Sequence, residues 1–221
     1  MTISVLYYVL VLSSSLLLEP SIEATNVSVL TQSFDYALAL QWNPAVCNGN
    51  PGCSKKIFPR TLTVHGLWLQ GQATRYCTTG PAYDPVFIIP IKNALTNIWI
   101  NAESGTDEQF WRNEWWKHGR CSRFTQREYF QKVIDLVNYR DFRQQIVNSF
   151  SGGNVNRDLL LQTIRVLLGK NVQMICIRNQ ELLEIRFRYK YQAGTGFHGW
   201  TLEDSTWPQQ CKPGFIHLRQ R

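Results

Sequence analysis

The chain has 221 residues, 44% hydrophobic and 13% aromatic, enough for one well-buried domain and too short for two comfortable ones. It carries no repeat, heptad run or low-complexity tract. Its formal net charge of +7 suits a polyanionic partner as well as simple solubility.

Residues 1–24 stand apart. Positions 3–18 form an apolar run broken by small polar residues, followed by Glu19-Pro20 and the small residue Ala24. This reads as a secretory signal cleaved near Ala24, although a basic start is missing. An uncleaved anchor is the alternative, and the run falls short of the roughly 20 apolar residues that span a bilayer. Cleavage removes Glu19 and Glu23 and no basic residue, which raises the net charge from +7 to +9. The expected product is a secreted monomer, residues 25–221, with no membrane attachment. Asn26-Val27-Ser28 is an N-glycosylation sequon next to the expected mature N-terminus.

All six cysteines lie in the mature part, and an even count behind a signal argues three disulfides. Cys47 and Cys53 flank the turn-prone Asn48-Gly49-Asn50-Pro51-Gly52, which makes a local loop plausible. Cys77 and Cys121 each follow a histidine-bearing segment, and a bridge between them would tie those segments together. That leaves Cys176 with Cys211.

Phe34, Tyr36, Leu38, Leu40 and Trp42 alternate with polar or small residues, a period-two strand. Leu62 and Val64 against Thr61, Thr63 and His65 predict a second strand with His65 on its polar face. Residues 69–85 read as an exposed loop, and 86–99 as an apolar stretch, helical after Pro90. A helix is expected from about 107 to 118. Another opens at Thr125, with Glu128 three residues on as a capping box. A third covers 157–168, between Asn156 as N-cap and Gly169 just past its end. Strands return at 172–177 and 182–191; in the latter Glu184, Arg186, Arg188 and Lys190 alternate with apolar residues. Helices gathered mid-chain between strands predict a single α+β domain, an antiparallel sheet with helices packed against it.

Two segments hold the candidate chemistry. One is Thr63-Val64-His65-Gly66-Leu67-Trp68; the other runs from Phe110-Trp111 through Glu114, Lys117 and His118 to Cys121. On a helix Phe110, Glu114, Lys117 and His118 share one stripe, while Trp111 and Trp115 share a neighbouring one and are expected in the core. Taken alone, Glu114 and His118 would pass for an exposed i,i+4 pair. A second histidine in a glycine–tryptophan setting and a basic chain point instead to RNA cleavage. The ribose 2′-OH already sits beside its phosphate, so the protein need only move two protons and stabilise charge. Two histidines, one acid and one lysine suffice. His65, Glu114 and His118 can also be drawn as zinc ligands. A helical zinc motif, however, brings two histidines at i and i+4, and Lys117 would set a cation beside the metal. No metal and no cofactor is called for.

At these residues the chain resembles the T2 family of secreted ribonucleases, with its His-Gly-Leu-Trp-Pro and Phe-Trp-x-His-Glu-Trp-x-Lys-His-Gly-Thr-Cys signatures. The likeness extends to Phe34-Asp35-Tyr36, Gln41-Trp42 and the first four cysteines. The resemblance implies an RNase T2-like fold, with His118 as base for the 2′-OH and His65 as acid for the leaving group. Glu114 and Lys117 then stabilise the transition state, and Gln41, Trp68, Phe110 and Asn113 contact the substrate, with Asn97-Ile98 lining a base pocket. It implies cleavage of single-stranded RNA through a 2′,3′-cyclic phosphate, with DNA spared.

Basic charge and segment order resemble plant S-RNases, the pistil determinants of self-incompatibility. That subgroup implies pollen F-box partners that read residues 69–85. The competing expectations are an S-like ribonuclease for defence or phosphate supply, and a secreted recognition protein with weak or lost catalysis. Departures from the pattern are Leu69 for Pro, Asn113 for an auxiliary His, Arg120 for Thr, and Phe187 where a strand cysteine is common.

Overall fold

A computed structural model describes residues 32–47, 53, 61–71, 76–139, 142–150, 153–178, 180–194 and 199–219. The expected signal, its cleavage point and the Asn26 sequon lie outside the described residues.

In chain order the elements are β1 (Ser33–Trp42), α1 (Asn43–Val46), β2 (Leu62–Leu69), a 3-10 segment (Pro85–Ile91), α2 (Lys92–Ile98), α3 (Asp107–Lys117), a second 3-10 segment (Gly119–Cys121), α4 (Gln126–Asn138), α5 (Phe142–Asn148), β3 (Asn154–Asn156), α6 (Arg157–Leu168), β4 (Gln173–Ile177), β5 (Glu181–Gln192), β6 (Trp200–Glu203) and β7 (Phe215–His217). The fold is mixed α+β, as expected, with a seven-stranded sheet among the described residues. β5 is its spine. It pairs antiparallel with β1 along nearly its whole length, and with β4 and β6 in succession on the other side. β2 pairs antiparallel with the far edge of β1. One parallel bridge, Glu181 to His217, joins β5 to β7.

The alternation along β1 explains its place. Tyr36, Leu38 and Leu40, all fully buried, face the helices, and on β5 Ile185, Phe187 and Tyr189 continue that layer. Trp99, Trp111 and Trp115 close the core from the helical side, each with no solvent exposure. Two indole N–H groups find carbonyls there: Trp111 Nε1 donates to Trp99 O (2.8 Å) and Trp115 Nε1 to Pro81 O (3.0 Å). The Tyr129 hydroxyl on α4 donates to Leu67 O (2.9 Å), which fixes β2 against the helices.

Helix boundaries follow side-chain chemistry. α3 starts at a capping box, Thr106 with Gln109, in which both reciprocal hydrogen bonds form; Thr125 and Glu128 do the same for α4. Asn156 caps α6 through Asp158 N and Leu159 N, and Gly169 ends it in the left-handed conformation, φ +73°. Disulfides join Cys47 to Cys53, Cys77 to Cys121 and Cys176 to Cys211.

Candidate active site

β2 is not a regular strand, and its irregularity builds the site. Against β1, Leu40 opposes Val64 and Ala39 opposes Gly66, which leaves His65 as the extra residue of a β-bulge. In an unbroken strand residues 65 and 68 point to opposite faces. The bulge resets the alternation. Val64 and Leu67, three apart, both face the core opposite Leu40 and Leu38, while His65, Gly66 and Trp68 share the outer face.

Gly66 is required by space. A Cβ there would lie 2.3 Å from Trp68 Nε1 and 2.5 Å from Glu114 Oε2. The indole N–H passes over this glycine to donate to the Glu114 carboxylate at 3.0 Å. Gly119 has the same explanation, since a Cβ would meet the Trp115 ring at 2.2 Å. The glycines beside both histidines are therefore seats for tryptophans.

α3 delivers the other groups. Glu114 is 1% exposed, with Lys117 Nζ 3.8 Å from its Oε1. His118 caps the helix through its backbone N–H to Glu114 O (2.9 Å). The Cys77–Cys121 disulfide and a Cys77 N to Lys117 O bond (3.0 Å) hold this helix end. The Trp68 ring joins the two histidines: its centroid lies 5.0 Å from that of His65 and 5.4 Å from that of His118. Two imidazoles from different elements thus rest against one indole.

A cleft of about 680 Å³ opens beside this group. His65, Phe110, Asn113, Glu114, Lys117 and Gln41 line it. The Gln41 amide is oriented by Asn43, whose Oδ1 accepts from Gln41 Nε2 (3.0 Å) and Thr63 Oγ1 (2.7 Å). Trp68 acts mainly as the frame between the imidazoles.

Asn97 and Ile98 do not line the cleft. α2 is amphipathic, so Ile98 joins Leu95 in the core and Asn97 points outward. The chain reaches the cleft only after the buried Trp99, at Asn101, Ala102 and Glu103. Asn101 spends its amide on that loop, donating to Ser104 O (2.9 Å) and Thr106 O (3.2 Å). Arg120 folds back on Cys77 O and lies over the exposed Trp116 ring, 5.3 Å from its centroid. The β5 residues Arg186 and Arg188 are both partnered, by Glu184 and Asp35. His217 is exposed and bonds Asn154 across β3 and β7 (2.5 Å). Among the described residues no cluster of three or more His, Cys, Asp or Glu could hold a metal ion, and no helix is long and apolar enough to cross a membrane.

Electrostatics separate the two histidines. Burial, with Lys117 nearby and then His65, lowers the His118 pKa to about 4. For His65, burial also disfavours the charged ring, but the Glu184 hydrogen bond and charge, with Glu114 behind them, outweigh it and raise the pKa above 6.5. Glu114 is pushed up by burial, against the pull of His65, the Trp68 hydrogen bond and Lys117. At pH 5 to 6 the site therefore pairs a neutral imidazole with a protonated one, the arrangement that general base and general acid require.

The fold and these motifs define a member of the Ribonuclease T2 family, and the chain belongs to it: the family match covers residues 34–212. Among curated relatives, ribonuclease MC of Momordica charantia is 31% identical over 184 residues, 80% of this chain and 95% of that protein. Ribonuclease S-6 of Nicotiana alata is 29% identical over 71% of this chain and 77% of its own. Among solved structures, ribonuclease MC1 from bitter gourd seeds superposes with a TM-score of 0.70 at 26% identity, over 83% of this chain and 99% of that one. A mutant of it has been crystallised with 5′-GMP.

Proposed function

We propose that this T2-family ribonuclease cleaves single-stranded RNA without a metal ion, through a 2′,3′-cyclic phosphate. The observation that carries the reading is that His118 and His65 rest against one indole, with Lys117 and Glu114 beside them, in surroundings that lower the pKa of the first imidazole and raise that of the second. His118 takes the 2′-OH proton as that oxygen attacks phosphorus. The bond to the 5′-oxygen breaks, and His65 protonates the departing oxygen. Water then opens the cyclic ester with the roles reversed, giving a 3′-phosphate. Lys117 faces the developing phosphorane charge, where fixed charge counts most. Glu114 holds Lys117 and Trp68 in place. Phe110 offers a base a stacking surface that tolerates any sequence, and Gln41 and Asn113 supply polar contacts.

Purified protein should degrade RNA equally with and without EDTA and leave DNA intact. Loss of activity in EDTA would refute the metal-free reading, and no activity at all would favour a recognition protein on the same scaffold. The profile of kcat/KM against pH should be bell-shaped. It rises as His118 loses its proton near pH 4 and falls only above 6.5, where His65 loses its own. A profile still rising at pH 7 would sink the assignment of base and acid.

The biological role we infer is that of a pistil S-RNase, secreted and glycosylated at Asn26. A basic chain and likeness to S-type ribonucleases of Nicotiana alata and Pyrus pyrifolia support it. The described part of 69–85 is mostly exposed and is the candidate surface for pollen F-box proteins. Style-restricted expression is the expected result; induction in phosphate-starved leaves would indicate the S-like role. Exchanging residues 69–85 with those of another allele should change pollen specificity, and no change would count against the F-box contact.

A further inference from the structure

We propose that Glu184 is a positioning residue for this reaction, holding His65 by Nδ1 so that Nε2 is presented to the cleft, with Arg186 moderating its hold. The inference rests on the ribonuclease reading above.

His65 lies on β2 and Glu184 on β5, with β1 between them, so their backbones are about 10 Å apart. The side chains nonetheless meet over β1, with Nδ1 and Oε2 at 2.6 Å. Both residues sit at β-bulges. His65 is the extra residue of the first. On β5 the register slips between Ile175 and Cys176, which leaves Leu183 unpaired next to Glu184. Bulges re-aim side chains, and these two turn an acid and an imidazole toward one another.

Glu184 is 2% exposed, so its charge must be compensated inside the protein. Each oxygen has one cationic partner: Oε2 meets His65, and Oε1 accepts from Arg186 Nε. Arg186 alone would make an ordinary pair two residues along one strand face. The bond to His65 adds what that pair does not need. It commits Nδ1, fixes the ring orientation, and leaves Nε2 as the nitrogen that works in the cleft. Arg186 also covers Trp68, 5.0 Å from its centroid, and so buttresses the indole both histidines touch.

Charged groups reach His65 from every side: Glu184 and Arg186 on β5, Glu114 and Lys117 on α3, and His118 at the helix end. Glu103 and Arg178 line the same cleft. Glu184 favours the imidazolium and Arg186 opposes it. The two neighbours on one strand therefore make predictions of opposite sign.

The experiment compares wild type, Glu184→Gln and Arg186→Gln, following the His65 ring by NMR titration and kcat/KM by pH profile. In Glu184→Gln the His65 titration and the alkaline limb should both move to lower pH, with activity at pH 7 reduced about tenfold or more, since each unit of pKa lost cuts the protonated fraction about tenfold above the midpoint. In Arg186→Gln they should move to higher pH. The limb set by His118 should stay in place in both variants, and Glu184→Asp should recover part of the lost activity. A merely structural role would shift neither limb, or would impair both variants alike at all pH values. Unmoved titration in Glu184→Gln, or shifts of the same sign in the two variants, would overturn the proposal. Should Glu184→Gln fail to fold, Arg186→Gln decides alone, since an unchanged or lowered His65 titration refutes it. Failure of wild type to cleave RNA would refute the ribonuclease reading, while the NMR titration still judges the contact itself.

Discussion

Replacing His118 by alanine is expected to lower turnover on a dinucleoside monophosphate about 10²–10⁴-fold and to change stability by no more than about 1 kcal/mol. The small stability effect follows from its position. His118 caps α3 through its backbone N–H, a bond alanine keeps, and the residue is not among the buried core side chains. The large kinetic effect follows from its charge state. Burial and Lys117 hold the ring neutral down to about pH 4, so throughout the mildly acidic range it is free to accept a proton, as the proposed base must. His65→Ala should lose a similar factor for a different reason, removal of the proton for the leaving oxygen. The pH profiles tell the two apart. The His118 variant should lose the acidic limb and the His65 variant the alkaline one. The double variant should be little worse than either single one, because groups that act as a unit are not additive. Initial rates paired with thermal melts would check all three. Retention of activity within about tenfold of wild type in either single variant would end the two-histidine account.

The α3 side of this site could be read from residue spacing, because a helix with steps of three and four has few ways to place Glu114, Lys117 and His118. Trp111 and Trp115 were assignable to the core on the same basis. The sheet side was not legible in that way. A period-two reading sets His65 with Thr63 and away from Trp68, and the one mark of the insertion that turns it is Gly66, since a lone glycine inside a strand signals a bulge or a close approach. Glu184 was hidden for a related reason. Its strand alternates charged and apolar residues in the manner of a solvated face, yet that face is covered by β2 side chains that reach across Ala39 and Gly66. The one available signal was an acid in a row otherwise basic, at Arg186, Arg188 and Lys190. Asn97 and Ile98 fall outside the cleft because their phase on α2 sends Ile98 inward and Asn97 to solvent. The Asn101–Glu103 segment, just past the buried Trp99, had the better phase.

The motif glycine offers the sharpest structural test. Gly66→Ala is expected to destabilise the protein by roughly 2–4 kcal/mol and to cut turnover well beyond tenfold. Backbone conformation is not the cause, because Gly66 lies within a strand and carries no positive φ. The cause is the methyl group, which would sit 2.3 Å from Trp68 Nε1 and 2.5 Å from Glu114 Oε2. Neither neighbour can yield cheaply. Glu114 is buried on a capped helix and has the Trp68 N–H as a donor; Trp68 is confined between two imidazoles and the Arg186 guanidinium. Overpacking of this kind costs about 1–3 kcal/mol, and a buried carboxylate deprived of a donor about 1–3 kcal/mol more. At about 2–4 °C per kcal/mol for a chain of this size, the melting temperature should fall on the order of 10 °C. Activity should fall even where the protein remains folded, because any shift of the indole moves both histidines. The indole's share of the cause can be isolated with Trp68→Phe, which removes Nε1 and leaves the Glu114 contact in place. If crowding of the indole is responsible, Gly66→Ala should cost at least about 0.5 kcal/mol less in the Trp68→Phe background than in wild type. Equal costs in the two backgrounds would show that the glycine makes room for Glu114 or serves the strand, and is not the tryptophan seat.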